Sequence, residues 1–264
     1  MNGKSSSVIR VLAPVVVGIL VLIGWEAIVR INQIPVYVLP GPGIVFETLW
    51  RDGPSLLVSL WITLRITVIA LALAASLGAL FAIVLAQSRW IEFSFFPYAV
   101  ILQVTPIVAI APLIIIWVND VTWSLLVCAW LVAFFPVLSN TTLGLNSADR
   151  NLADLFRLYG AGRWQTLLHL RLPTALPYFL AGLRISGGLA LIGAIVAEFV
   201  AGTGGAESGL AFRILESGYR LQIPRMFAAL LLLSATGVAI YLILSLLSHL
   251  LLRHWHESAL PRDR

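Results

Sequence analysis

DRNLADLFRLYGAGRWQTLLHLRLPTALP, residues 149–177, is the only long polar-bearing interruption between two strongly apolar halves. Within it Leu152, Leu155, Phe156 and Tyr159 recur at i, i+3, i+4 and i+7, the spacing that gives a short helix one apolar stripe. Asp154 and Arg157, three apart, lie off that stripe and can pair across one turn. Gly160 and Gly162 end the helix, because glycine accepts the left-handed cap at little cost. A second short helix is expected from Arg163 to about Arg171, where Pro173 stops it. Apolar side chains that face away from their own chain suit a docking knob for another protein or a helix lying flat on lipid, and the pattern alone allows both.

The rest of the chain is a membrane composition. Of 264 residues 60% are hydrophobic and 11% charged, with mean hydropathy +0.97; soluble domains carry about a quarter charged residues. The net charge of +5 does not point to nucleic acid, because the arginines are scattered rather than gathered on one face. Cys128 is the only cysteine, which excludes an intrachain disulfide and a cysteine-based metal site. The four histidines include no HExxH pair, so neither a metal nor a cofactor is expected on this chain. Lys4 is the only lysine, and no GxxxxGK[ST] occurs. The polypeptide therefore lacks a phosphate-binding P-loop, and any nucleotide-driven step falls to a partner.

Six apolar runs, about 11–31, 57–87, 93–118, 123–145, 178–200 and 226–252, are each long enough to cross a bilayer, which takes about 20 residues. They predict an all-α integral membrane protein, with 146–177 as the long connection. The first run reads as a retained helix rather than a signal peptide, since no small-x-small cleavage site follows it before Glu26 and Arg30. Residues 32–55, dense in proline and glycine, predict a loop holding one short helix over 45–50. Pro97, Pro106 and Pro112 bend the third run and free carbonyls, which places it inside the bundle with Gln103 and Thr105 as polar contacts on a translocation path. Gly182, Gly187, Gly188 and Gly193 predict close helix approach on the fifth run. Arg65 is expected to snorkel to the interface, and Arg184 to sit near the entry of its span. Glu198, near the far end, reads either as a helix-end carboxylate in water or as a contact at the outer mouth of the path. A short helix is expected over 210–216 among Glu207, Arg213, Glu216 and Arg220, and Arg253-His254-Trp255-His256 anchors the last run.

Six crossings put both termini on one side. That side carries Lys4, Arg10, Arg89, Arg150, Arg157, Arg163, Arg171, Arg253, Arg262 and Arg264, against Arg30, Arg51, Arg213, Arg220 and Arg225 on the other. The positive-inside rule then places both termini and the 146–177 loop in the cytoplasm.

The loop also resembles a known family. Gly160-Ala161, Arg163-Trp164, Leu172-Pro173 and Leu176-Pro177 are similar to the cytoplasmic EAA loop of bacterial ABC importer permeases. Asp154 takes the acidic place, Leu155 and Phe156 stand where the pattern has two alanines, Gly160 is the glycine, and Leu170-Arg171-Leu172-Pro173 the ending. The resemblance runs from about Leu39-Pro40-Gly41-Pro42 to the C-terminus and is nearest the nitrate, sulfonate, taurine and thiamine-precursor branch. It implies six transmembrane helices in the type I ABC importer permease (MetI-like) fold, within a bacterial inner membrane. It also implies a second copy of the permease, an extracytoplasmic solute-binding protein, and cytoplasmic ABC ATPase subunits that hold ATP and magnesium. The coupling helix would be Asn151 to Tyr159, with Asn151, Leu152, Asp154, Leu155, Phe156, Arg157, Tyr159, Gly160, Ala161, Arg163 and Trp164 meeting the ATPase. An ion-coupled secondary transporter is the rival reading; it calls for inverted repeats and mid-membrane carboxylates, and the sequence has neither.

Overall fold

A computed structural model describes residues 3–202 and 208–253. The expected anchor residues His254, Trp255 and His256, and Glu207, lie outside the described residues. The described chain is helical: α1 (Gly3–Ile31), α2 (Pro42–Leu85), α3 (Arg89–Val104), α4 (Ile107–Val118), α5 (Val121–Asn146), α6 (Arg150–Leu158), α7 (Arg163–Thr166), α8 (Leu172–Ala201), α9 (Leu210–Tyr219) and α10 (Ile223–Leu252). A π-helical turn, Leu167–Arg171, joins α7 to α8.

The core forms where α2, α5 and α8 pack on one another. Gly182 and Gly193 on α8 lie so close to α5 that an added Cβ would meet the Pro136 carbonyl at 2.6 Å and the Ala129 Cα at 2.9 Å. A methyl at either site would push the helices apart, so these two glycines set their spacing. Gly188, by contrast, faces open space. Near α9, Ile66, Ala111, Leu125, Ala129 and Ala197 form one buried cluster; at the opposite end Ala82, Ala99, Leu138, Leu145 and Ala175 form another. We call these the α9 end and the loop end.

Those clusters also show where each apolar helix begins and ends. Five helices are long and apolar enough to span alone, and α3 with α4, bent by 98°, is the candidate for a sixth span. Ala99 of α3 packs in the loop-end cluster, and Ala111 and Ile114 of α4 in the other, so the pair carries the chain from one end to the other. Pro106 causes the break. It has no N–H for the Leu102 carbonyl, and its ring disfavours helix at the residue before it. The expected placement of this run inside the bundle is not met: α3 buries only Ala99, and Val104 and Phe93 stand largely exposed.

Two further expectations are corrected. The 32–55 segment is a loop only to Gly41; α2 starts at Pro42 and runs through Gly53 and Pro54 without interruption, absorbing the short helix expected at 45–50. An interior proline costs about 3 kcal/mol of helix propensity. Here Val45 and Leu56, on either side of Pro54, are fully buried against α9 and α10, and that packing outweighs the penalty. Pro173 likewise does not stop its helix, because the π-turn widens the coil just before it: Leu172 N–H bonds Leu167 C=O rather than the carbonyl four residues back. Residues 163–201 are one continuous rod.

Candidate coupling knob, translocation cleft and outer latch

At the loop end, α6 stands as a separately built knob. Asp149 caps it, its carboxylate accepting from Asn151 N–H (2.7 Å) and Leu152 N–H (3.2 Å). At the far end Gly160 takes φ +71°, which lets Ala161 N–H reach back to the Phe156 carbonyl at 2.9 Å. Arg157 Nη1 donates to Asp154 at 3.3 Å on the exposed side. Gly162 differs from expectation. Its φ is −71°, and it caps the next helix, with Gln165 Oε1 accepting its N–H at 2.8 Å.

No residue of α6 is buried. Asn151, Leu152, Asp154, Leu155, Arg157, Tyr159 and Gly160 are exposed, as are Arg163 and Trp164; Phe156 and Ala161 are half-covered. Leu152 and Leu155 keep 47% and 44% of their surface open, so much of the apolar stripe predicted from the sequence is uncovered among the described residues.

The break between α3 and α4 makes a second feature. A cleft of about 310 Å³ lies between Gln103, Thr105 and Pro106 on one side and Leu131, Val132, Pro136 and Leu189 on the other. The Gln103 side chain is exposed. The Thr105 hydroxyl, however, donates to the Ile101 carbonyl of its own helix at 2.7 Å, so it offers only its acceptor face to the cleft. Helix ends carry unpaired backbone groups, and lipid cannot satisfy them; non-helical backbone at membrane depth has to face protein or water.

Glu198 belongs to neither place. It is 3% exposed, which corrects the expectation of a carboxylate in water. Its Oε1 accepts from Thr63 Oγ1 on α2 (2.7 Å), its Oε2 accepts from Ala211 N–H (3.0 Å), and Thr63 Oγ1 accepts from Leu210 N–H (2.8 Å). One buried carboxylate thus caps α9 and ties it to α2 and α8. Sequence reading missed Thr63, although Ser59, Thr63 and Thr67 form an i, i+4, i+8 row on α2 and all three are buried. Ser59 accepts from Arg213 Nε at 3.1 Å, and Arg213 and Arg220 both pair with Glu216, at 2.8 and 2.9 Å.

Arg184 sits between α8 and α10, its Nη2 donating to Ser248 at 3.3 Å. Charged side chains within membrane helices are rare and normally have a partner or a task. Arg65 is exposed.

Apolar helices spanning end to end, a water-demanding break, an unpartnered knob at one end and a latched helix at the other define a multi-pass membrane transport subunit. The chain belongs to the binding-protein-dependent transport system inner membrane component family, whose model matches residues 74–257. It is 34% identical to a probable ABC transporter permease protein of Haemophilus influenzae, over 91% of this chain and 97% of that one. It is also 34% identical to the riboflavin transport system permease protein of Chloroflexus aurantiacus, over 90% and 88% respectively. In fold it resembles an amino acid ABC transporter chain at TM-score 0.62 and 17% identity, covering 77% of this chain and 97% of that one. The chain is thus a permease subunit of an ATP-driven ABC importer for a small solute, working with an ATPase and a solute-binding protein, and the secondary-transporter reading is set aside.

Proposed function

We propose that α6 is the coupling helix, inserted into a cleft of a cytoplasmic ABC ATPase that holds ATP and magnesium, and that two copies of this permease enclose the path at the α3–α4 break. The observation that carries the coupling reading is the open stripe of Leu152, Leu155 and Tyr159 on a helix otherwise fixed at both ends by Asp149 and Gly160. A knob built so firmly transmits force, and rigid-body rocking needs such a handle. In this reading the loop end and both termini are cytoplasmic, in accord with the arginine distribution. The permease holds no catalytic residue of its own, and the membrane lipid surrounds the outer face of the pair.

Exposure of the broken backbone favours two copies over one. Leu102 and Val104 beside the break are more than half exposed, and free carbonyls there are not tolerated against acyl chains. A second copy encloses that face and leaves a wet path between the two, with Gln103 and Thr105 on its wall.

The test is Leu155→Asp in full-length permease co-expressed with its ATPase. A charge in the middle of the stripe is expected to abolish co-purification of the ATPase, or to lower solute-stimulated ATP hydrolysis in proteoliposomes by about tenfold or more. Wild-type co-purification and stimulation in that variant would remove α6 from the interface.

A further inference from the structure

We propose that the groove between the loop-end halves of α8 and α10 is a binding site for an oxyanion group, a phosphate or a sulfonate, with Arg184 as its principal donor. The groove measures about 820 Å³, in the range of small-ligand sites, and its polar groups converge from facing helices. Arg184 and Tyr178 come from α8; Tyr241, Ser245, Ser248 and His249 come from α10.

The protein itself leaves part of the hydrogen-bonding capacity around this groove unused among the described residues. Arg184 Nη2 reaches Ser248 at 3.3 Å, a long bond that fixes the guanidinium. Its Nε is buried and has no acceptor among the described residues, and the Ser245 Oγ, one turn from Ser248, is buried and unpartnered as well. Buried donors in this state are rare in folded proteins. No carboxylate lies within 4 Å of Arg184 among the described residues, so its charge has no protein counter-ion there.

The chemistry of the missing group follows from the donors. A guanidinium offers five N–H donors in a planar fork and accepts nothing, which suits a charged group with several oxygens. Ser245, Tyr178 and Tyr241 line the same groove. The remaining lining, Pro177, Ala181 and Leu252, is apolar and suits a ligand with an apolar body. Depth agrees: Arg184 lies seventeen residues before Ala201 on a continuous helix, about 26 Å, so it falls near the inner edge of a hydrocarbon core roughly 30 Å thick. Two sources of oxyanion meet there, the head group of an anionic phospholipid and a free anion passing through the importer. The site stands independently of the coupling role of α6.

The experiment takes the full chain in nanodiscs of phosphatidylcholine, with or without phosphatidylglycerol, and compares wild type with R184Q, R184K and S245A. Native mass spectrometry counts retained phosphatidylglycerol, and calorimetry in pure phosphatidylcholine measures binding of inorganic phosphate and methanesulfonate. Retention of phosphatidylglycerol by wild type, reduced about tenfold in R184Q, supports the site with a lipid as occupant; binding of either free anion, weakened to the same degree, supports it with a solute anion. R184K is expected to fall between, since it keeps the charge and loses the fork. Should R184Q not give a monodisperse particle, S245A carries the test with the charge intact, and a several-fold loss is expected. Equal lipid retention by all variants, with no binding of either anion to wild type, overturns the proposal.

Discussion

Thr63 Oγ1 donates a hydrogen bond to Glu198 and accepts one from Leu210 N–H, so a single hydroxyl serves both sides of the α9 latch. Thr63→Val keeps the shape and removes both bonds, leaving the buried Leu210 N–H unpaired and the buried Glu198 carboxylate one donor short, at about 1–3 kcal/mol each. The variant is expected to melt measurably lower in detergent, with Thr63→Ser close to wild type; equal melting of all three would show that the latch contributes nothing. Gly160 is the other residue on which an element turns. Nothing lies within 4 Å of a Cβ added there, so a substitution meets no clash, only the penalty of a left-handed backbone at φ +71°. Ala costs about 1 kcal/mol in that region and a β-branched residue more. Gly160→Val is expected to insert in the membrane normally and to lose coupling of ATP hydrolysis to transport, with Gly160→Ala milder; full uptake by the valine variant would count against the knob's rigidity. Gly160 was legible from the sequence because it follows an amphipathic stripe. Glu198 was not: its partners lie 135 residues away on α2 and beyond the turn after α8, and nothing local distinguishes a capping carboxylate from a solvated one.

At the scale of the element, α9 depends on charges as well as on the latch. The Glu216 carboxyl is held below the ordinary glutamate range, first by the hydrogen bond from Arg213; partial burial pulls the other way, and the charges of Arg213, Arg220 and Arg225 reinforce the lowering. A carboxyl depressed in the folded state stabilises above its unfolded pKa, about 4.3, and that contribution is lost as pH falls through the lower folded value. Melting of wild type is therefore expected to drop only below about pH 4 relative to Glu216→Gln, which lacks this acid-side loss; parallel curves would show that the cluster does not hold α9. Helices were readable as apolar runs, and α6 as a stripe, because both signals are local. The prolines misled in both directions. Pro54 and Pro173 are absorbed, the first by buried neighbours and the second by a π-turn, whereas Pro106 breaks its span outright. What separates them is the packing around each ring, which a single sequence does not display.

The whole molecule, taken alone, leaves α3 and α4 bare of partners on the side where the backbone is broken. If two copies enclose that face, a cysteine at Val104 is expected to cross-link between copies in native membranes under mild oxidation, while Cys128, fully buried, stays silent as a built-in control. Only monomeric product at every position tried along 102–105 would place the break against something other than a second copy.

The uninterrupted stretch from Arg163 to Ala201 has a mechanical consequence. Its near end adjoins the knob, and its far end carries the carboxylate that grips α9, about 52 Å away at helical rise. A tug applied at the base is thus delivered to the opposite surface by one stiff lever, with the single π-turn beside the knob as its only built-in spring. With α6 as the coupling handle, a displacement there reaches α9 without passing from joint to joint, because one beam carries both ends.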